Sequence, residues 1–231
     1  MTPMDAVILC GGKGTRLQSV VSDRPKPMAS VAGKPFLELL MDYVAGYGFG
    51  RFVLCAGHMG GMIRDYFAAR KLPYEVQVAI EAEPLDTAGA VKNAEPLIKS
   101  GRFLAMNGDS IVRADLKAFA EFHEARRPLA SLAAARKADA SAFGTLSVGA
   151  DGKLLAFREK AAAASGLVNA GIYIFERQVL AEIPAGRRYS LERDLFPALA
   201  AKGGVNVFEV PGELIDIGTP ESYREAGDKL K

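Results

Sequence analysis

Short runs of apolar residues alternate with longer amphipathic stretches along the first half of the chain. Ala6 to Cys10 is apolar throughout, as are Phe52 to Cys55 and Phe103 to Met106. Unbroken apolar runs are typical of strands that are covered on both faces, as in parallel sheets. Helical spacing predicts helices over Pro35 to Tyr47, Met62 to Arg70, Ala88 to Lys99 and Asp115 to Arg126, and alternation predicts a strand over Tyr74 to Ile80.

The pattern changes after Pro128, where strands become more frequent. We expect strands over Leu129 to Ala135, Gly144 to Val148, Leu154 to Phe157, Gly171 to Phe175 and Val205 to Val210, with helices over Leu191 to Lys202 and Glu221 to Leu230. The dipeptide Asp151-Gly152 is placed like a hairpin turn. The prediction is one α/β domain with a Rossmann-like, mixed but mostly parallel sheet flanked by helices. Its nucleotide-binding half covers about residues 1–128, and a second half, about 129–231, completes a cleft.

Composition supports a folded protein of this kind. Of 231 residues, 49% are hydrophobic and 24% are charged, close to the average for globular domains. The net charge of +2 comes without a basic stripe, so we expect no nucleic-acid partner. Cys10 and Cys55 end apolar runs and are expected to be reduced core thiols. With no signal-peptide core or membrane span in the sequence, a cytoplasmic location is expected.

A glycine-rich turn follows the first predicted strand. It contains Gly11, Gly12, Gly14, Thr15 and Arg16. Glycines at this point let backbone N–H groups approach phosphate, because no Cβ blocks the contact. The spacing matches neither a Walker A loop nor the dinucleotide fingerprint, which needs glycine where Leu17 stands. A phosphate site is therefore expected, with a plain tight turn as the alternative.

A second basic element, Arg24-Pro25-Lys26-Pro27, follows the glycine-rich turn. Its prolines are expected to restrict Lys26 to extended backbone and to hold the ammonium group in a fixed direction. A solvated lysine in a loop is the alternative. His58 and His123 are expected to have loop or surface roles, not catalytic ones.

These two basic elements together resemble the signature of the sugar-1-phosphate nucleotidyltransferases. The resemblance continues through four further blocks in the family's order: Asn107 to Asp109, Phe157 to Lys160, Asn169 to Tyr173 and Asp216 to Pro220. Within the family, the glycine-rich turn and Lys34 to Glu38 are most similar to the D-glycero-α-D-manno-heptose 1-phosphate guanylyltransferases.

The resemblance implies a reaction in which a sugar-1-phosphate oxygen attacks the α-phosphorus of a nucleoside triphosphate and releases pyrophosphate. The phosphate monoester is mostly dianionic at neutral pH, so no general base is needed. Arg16 and Lys26 resemble the catalytic cations of the family, which draw charge from the phosphates. The resemblance also implies a nucleotide site made of Gly11, Gly12, Gly14, Thr15, Glu81, Thr87 and Asn107.

Two aspartates are candidates for a magnesium site. Asp109 follows a buried strand, and Asp216 follows Leu214-Ile215 in the same way, so both carboxylates are expected at the carboxyl edge of the sheet. Mg²⁺ takes hard oxygen ligands and completes its shell with phosphate and water. Turn or helix-cap aspartates are the alternatives.

The resemblance also implies a sugar-phosphate site. Its residues are Gly144, Glu159, Lys160 and Asn169. The family commonly has proline after the Glu-Lys pair, and Ala161 stands there in this chain. A solvated ion pair is the alternative for Glu159 and Lys160.

Glu81 lies in the segment that reads the base in relatives. An ionised carboxylate only accepts hydrogen bonds, and guanine presents two adjacent donors, so GTP is favoured. Asp86 stands where relatives often have glycine. Hexose or N-acetylmuramate 1-phosphates, with UTP, dTTP or GTP, remain alternative substrates. A catalytically silent nucleotide-binding regulatory domain is the alternative from another class, and the oligomeric state is left open.

Overall fold

The computed structural model describes residues 4–138, 140, 145–158 and 165–230. Its strands are β1 Asp5–Leu9, β2 Ser30–Val31, β3 Lys34–Pro35, β4 Arg51–Ala56, β5 Glu75–Ile80, β6 Arg102–Asn107, β7 Ser110–Val112, β8 Ala130–Lys137, β9 Thr145–Val148, β10 Leu154–Arg158, β11 Gly166–Glu176, β12 Val205–Val210 and β13 Leu214–Asp216. Its α-helices are α1 Phe36–Ala45, α2 Gly60–Ala68, α3 Asp86–Asn93, α4 Leu116–Arg126, α5 Phe196–Ala201 and α6 Pro220–Lys229. Short 3₁₀ helices cover Lys26–Met28, Glu95–Leu97 and Arg177–Glu182, and a π-helix covers Leu191–Leu195.

One main sheet extends through both halves of the chain, and within the described residues it has nine strands. Its principal path is β10-β9-β11-β6-β1-β4-β5, with β8 beside β11 and β12 beside β8. β1 pairs in parallel with β4 and β6, whereas β11 pairs antiparallel with β6. The expected Rossmann-like α/β sheet is therefore confirmed, with a parallel first half and a mixed second half.

Both faces of β1 are buried, which explains its unbroken apolar sequence. Ile8 packs into the cluster on one face together with Cys10, and Val7 packs into the other cluster together with Cys55. The two cysteines are free and buried, as expected, and they belong to opposite faces of the sheet. Burial raises the pKa of both thiols, so they stay protonated and unreactive.

Several predicted elements differ from the structure. Lys26 is not extended but begins a 3₁₀ helix, closed by the hydrogen bond from the Ala29 N–H to the Lys26 carbonyl. Pro27 is tolerated there because the first turn of a helix leaves its N–H groups unpaired in any case. The helix predicted over Ala88 to Lys99 begins earlier, at Asp86, and its last part is a separate 3₁₀ turn.

His123 is fully buried, so the expectation of a surface role is wrong. Its Nδ1 lies 2.8 Å from the Ser131 hydroxyl, and its Nε2 lies 3.2 Å from Glu176 Oε1. Glu176 also accepts a hydrogen bond from Arg102 Nε. The ring is a satisfied core histidine that ties α4 to β8 and β11.

Two extra residues in β11 interrupt its pairing with β8 and form a bulge. Asn169 pairs with Ala134 of β8, but Tyr173, four residues on, pairs with Leu132. Gly171 lies inside this bulge with φ +70°, a conformation that other residues rarely adopt. Bulges of this kind re-aim side chains next to functional sites.

Two short strands absent from the sequence prediction, β7 and β13, pair antiparallel and set Asp216 opposite Ser110. The Ile217 N–H also donates to the Asp109 carbonyl, at 3.0 Å. The pairing therefore brings the loop that carries Asp109 against the segment that carries Asp216. In the described ranges, no helix is long and apolar enough to cross a membrane.

Candidate active site

A cavity of about 760 Å³ opens at the carboxyl edge of the parallel strands. It is lined by Gly11 and Gly12 after β1, by Glu81 after β5, and by Asn107 and Asp109 at the end of β6. Strand ends converge here because parallel strands point their carboxyl termini to one edge. With Thr87 of α3, six of the predicted site residues therefore meet in one cavity.

The glycine-rich turn is packed closely against its neighbours. Gly14 has φ +60°, and a Cβ at this position would lie 2.8 Å from Lys26 Cβ. A Cβ on Gly11 would lie 2.8 Å from Glu81 Oε1, whereas a Cβ on Gly12 would meet nothing within 4 Å. Leu17, 1% exposed, anchors the end of the turn in the core. Glycine is thus required at 14 by the backbone conformation and by Lys26, a Cβ at 11 would displace the Glu81 carboxylate, and position 12 faces open space.

Lys26 and Asp109 form an ion pair beside this turn. Lys26 Nζ lies 2.7 Å from Asp109 Oδ2, and the lysine side chain is only 10% exposed against 43% for the aspartate. The aliphatic stem of Lys26 packs next to Gly14, and its ammonium group pairs with Asp109, which lines the cavity. Packing and the ion pair therefore hold this positive charge beside the cavity.

Asp216 is oriented by two hydrogen bonds to its Oδ1, from the Gly218 N–H at 2.7 Å and from the Ser222 hydroxyl at 3.0 Å. A Cβ on Gly218 would lie 2.7 Å from that oxygen, 3.6 Å from Lys26 Nζ and 3.7 Å from Arg16 Nη2. Arg16, Lys26 and Asp216 therefore surround a single backbone position. Three of the predicted catalytic and metal-binding residues, together with Asp109, form one charged cluster.

The donor set of this cluster suits a magnesium ion. Within the described residues there is no group of three or more His, Cys, Asp or Glu side chains that could hold a metal by themselves. Mg²⁺ does not need one, because it usually binds through one or two carboxylates plus substrate phosphate oxygens and water. Asp109, which lines the cavity, and Asp216, in the adjoining charged cluster, supply two hard oxygen donors, so they fit this ion.

Glu81 lines the same cavity immediately after β5, and its carboxylate lies against Gly11 of the glycine-rich turn. Its Oε2 accepts a hydrogen bond from the Leu85 N–H at 3.0 Å, which folds the following loop around the carboxylate. Burial raises the pKa of Glu81 above its usual range, against the opposing effect of the Leu85 N–H, and the nearby Asp86 charge raises it further. A half-buried carboxylate lining the cavity is positioned to contact a base.

Thr87 and Asn107 also line the cavity, but both are engaged within the protein. The Thr87 hydroxyl donates to Glu192 Oε2 at 3.0 Å and accepts from the Leu191 N–H at 2.7 Å. Asn107 packs against Gly171, where a Cβ would lie 2.7 Å from Asn107 Nδ2. Thr87 thereby connects α3 to the π-helix.

Asn169 is held by the bulge in β11. Its Oδ1 accepts from the Gly171 N–H, and its Nδ2 donates to the Tyr173 hydroxyl at 2.7 Å. The predicted partners of Asn169 in the sugar-phosphate site, Gly144, Glu159 and Lys160, lie outside the described residues. Thr15 is exposed within the glycine-rich turn. Several predicted site residues are not among those that line the cavity, namely Gly14, Thr15, Arg16, Lys26, Asn169 and Asp216.

Sequence reasoning missed further residues that line the cavity. They are Lys13, His58, Glu83 and Arg188. Lys13 could have been included, because it stands between glycines of a turn already assigned to phosphate. Arg188 had no sequence signal, since it reaches the cavity from a loop about a hundred residues beyond the base-reading segment.

Comparisons with known proteins agree with this geometry. A family model described as nucleotidyl transferase matches residues 5–231. A mannose-1-phosphate guanylyltransferase of Mycobacterium tuberculosis is 34% identical over 95% of this chain, which spans 62% of that relative's length. A D-glycero-α-D-manno-heptose 1-phosphate guanylyltransferase of Aneurinibacillus thermoaerophilus is 33% identical over 99% of both chains. A crystal structure of HddC from Yersinia pseudotuberculosis complexed with GMP-PN superposes with a TM-score of 0.87 at 34% identity, covering 99% of this chain and 100% of that one.

Proposed function

The chain belongs to the nucleotidyl transferase family, and from that premise we propose that it transfers a guanylyl group from GTP to a sugar 1-phosphate. The observation that carries the proposal is the cluster of Arg16, Lys26, Asp109 and Asp216 beside a glycine-rich turn, with Asp109 and Glu81 lining the same cavity. The cations and carboxylates of the cluster suit a triphosphate with its metal ion. The carboxylate of Glu81 suits guanine.

The proposed reaction is a single in-line displacement. A phosphate oxygen of the sugar 1-phosphate forms a bond to the α-phosphorus of GTP, while the bond from that phosphorus to the bridging oxygen of the β-phosphate breaks. Pyrophosphate leaves with the electron pair. The attacking phosphate is already mostly dianionic at neutral pH, so the protein has to position charges and does not have to remove a proton.

Each charged side chain then has a definite task. Lys26, fixed by Gly14 and Asp109, directs its ammonium group at the α-phosphate, and Arg16 balances charge that develops on the leaving pyrophosphate. Asp109 and Asp216 would hold the magnesium ion. That ion, when bound, supplies charge neutralisation to the phosphate oxygens. Backbone N–H groups at Gly11 and Gly12 are free of side chains that would keep phosphate away.

Glu81 supports guanine as the base. An ionised carboxylate accepts from both the N1–H and the N2 amino group of guanine. Uracil and thymine place an acceptor oxygen beside their only N–H, which would repel the second carboxylate oxygen. Relatives of this chain at 33 and 34% identity are named guanylyltransferases, in agreement with this choice.

For the sugar we propose D-glycero-α-D-manno-heptose 1-phosphate, because two relatives at 33% identity that match over 99% and 97% of their own length carry that name. Mannose 1-phosphate is the second candidate, favoured by the 34% identical relative from Mycobacterium tuberculosis. Both sugars have the manno configuration, so the two candidates differ at the end of the sugar remote from the phosphate.

Pyrophosphate release tests the proposal. The purified chain with Mg²⁺ is assayed with GTP, ATP, CTP, UTP and dTTP against the 1-phosphates of the heptose, mannose, glucose and N-acetylmuramate. We expect turnover with GTP and the heptose, and none in Asp109→Asn. Asp65→Asn, an exposed aspartate on α2, is the matched control and should retain full activity. Turnover with UTP or dTTP in preference to GTP would contradict the base assignment, and no turnover with any pair would indicate a silent regulatory domain.

A further inference from the structure

Asp86 occupies an unusual backbone position at the rim of the cavity. It begins α3 with φ +59°, in the left-handed region that residues with a Cβ adopt infrequently. Its carboxylate is shared by two arginines: Arg188 Nη2 lies 3.3 Å from Oδ1, and Arg193 Nη2 lies 3.2 Å from Oδ2. Glycine would take this backbone conformation without strain but would hold neither arginine.

The two arginines are placed differently. Arg188 lines the nucleotide cavity together with Glu81, whereas Arg193 does not line it. Arg188 is 70% exposed, so its guanidinium group is accessible to a ligand in the cavity.

The backbone on either side of Arg188 is fixed against the start of α3. The Tyr189 N–H donates to the Leu85 carbonyl, and the Ala88 and Gly89 N–H groups both donate to the Tyr189 carbonyl, all at 2.9 Å. A Cβ on Gly89 would lie 2.7 Å from the Arg187 carbonyl oxygen, so the two segments are in close contact. Arg188 therefore projects from a rigid support directly beside the segment that follows Glu81.

Glu81 and Arg188 carry charges that complement the two edges of guanine. Glu81 can accept from the N1–H and the N2 amino group, which leaves O6 and N7 of the base unpaired. Arginine donates to O6 and N7 of guanine in a bidentate arrangement, which is the commonest specific contact in the major groove of DNA. Among the described residues that line the cavity, which include Glu81, Glu83 and Asp86, Arg188 is the arginine available for this contact.

We propose that Arg188, anchored by Asp86, is a base-specificity residue that donates to O6 and N7 of guanine. This inference rests on the proposed function and names a second recognition contact for the same site. Asp86 is a positioning residue that acts through Arg188. Adenine presents a donor where guanine has O6, and uracil has no N7, so both bases lose this contact.

The test compares GTP with 7-deaza-GTP, which keeps O6, N1–H and the N2 amino group but lacks N7. Binding of each nucleotide with Mg²⁺ is measured by isothermal titration calorimetry on the wild type, Arg188→Gln and Asp86→Asn. Asparagine tolerates the left-handed backbone and removes the charge, so this variant keeps the local fold. Arg193→Gln is the matched control, because it removes the other arginine bound to Asp86 without changing the cavity lining.

We expect the wild type to bind 7-deaza-GTP about tenfold more weakly than GTP. Arg188→Gln should bind GTP as weakly as 7-deaza-GTP, so that the difference between the two nucleotides disappears. The difference should be smaller in Asp86→Asn than in the wild type, and it should be unchanged in Arg193→Gln. Equal binding of the two nucleotides by the wild type would overturn the inference, as would an undiminished difference in Arg188→Gln. A wild type that binds no GTP at all would instead contradict the proposed function, so the two failures are distinguishable.

Discussion

The ammonium group of Lys26 lies 2.7 Å from the carboxylate of Asp109, although 83 residues separate them in the chain. One belongs to a 3₁₀ turn that follows β1, and the other follows β6, the strand paired directly with β1. Strand pairing therefore brings a candidate phosphate-binding cation and a candidate metal ligand together. Gly14 allows the close packing that keeps the lysine there.

Replacing the Lys26 ammonium group should slow chemistry more than it weakens binding. In Lys26→Met we expect kcat to fall by about 10²–10³, as for other preorganised charges that act in the transition state, with a much smaller change in KM for GTP. Lys34→Met is the control, because Lys34 is half exposed and pairs with Asp42 on the surface. Initial-rate kinetics test this expectation. A raised KM with an unchanged kcat would mean that Lys26 binds substrate and transition state equally well and does not accelerate the chemical step.

As the pH is lowered, GTP binding should begin to weaken at a higher pH than it would with a glutamate of ordinary pKa. Burial raises the pKa of Glu81, so its carboxylate gains a proton at a higher pH and then presents a donor to the guanine N1–H. The Kd for GTP is therefore expected to rise as pH falls through that pKa. The check is calorimetric titration across a pH series.

Glu81→Gln should lose this pH dependence. Its preference for GTP over UTP should fall by about tenfold, because an amide offers uracil both a donor and an acceptor. A variant with an unchanged base preference would exclude Glu81 from base recognition.

Two neighbouring glycines should respond differently to alanine. Gly14→Ala imposes a left-handed conformation and a contact with Lys26, so we expect a loss of about 2 kcal/mol in the free energy of unfolding. Gly12→Ala meets no protein atom within 4 Å and should leave stability unchanged while weakening nucleotide binding. Urea denaturation and GTP titration of both variants separate the effects, and equal stabilities would contradict the packing described here.

His123 should make the fold sensitive to acid. Burial lowers its pKa despite the opposing Glu176 carboxylate, so the unfolded chain binds more protons than the folded one in the window below the usual value of about 6.5. Stability therefore falls as pH drops through that window. Urea unfolding at about pH 7.5 and about pH 5.5 should show a larger acid-induced loss in the wild type than in His123→Gln. Equal losses would mean that His123 does not titrate on unfolding.

Local pattern was sufficient for the parallel half of the sheet, because its strands are buried on both faces and read as apolar runs. The strand predicted over Val205 to Val210 has the same bounds in the structure. Asp115, the first residue of the helix predicted over Asp115 to Arg126, caps α4 by accepting from the Lys117 and Ala118 N–H groups. Three-residue β7 and β13 were not predictable, since their pairing joins segments about a hundred residues apart. The buried state of His123 likewise depends on Ser131 and Glu176, which belong to two other strands.

For the site, sequence motifs predicted which residues carry charge, but not how they are held. Lys26 was expected to have an extended backbone, yet it begins a 3₁₀ turn, and its side chain packs against Gly14. The sequence alone did not explain why Asp86 stands where relatives often have glycine. Its partners, Arg188 and Arg193, come from a distant segment that only the packing of Tyr189 against Leu85 brings to the rim.

Guanylyl transfer at the cluster of Lys26, Asp109 and Asp216 can be tested by product formation in a single reaction. The chain is incubated with Mg²⁺, GTP and D-glycero-α-D-manno-heptose 1-phosphate, and the products are identified by mass spectrometry. We expect GDP-heptose and pyrophosphate in equal amounts from the wild type, and neither product from Asp109→Asn. Binding of GTP by the wild type without a nucleotide-sugar product from the heptose or from any other sugar 1-phosphate would exclude guanylyl transfer.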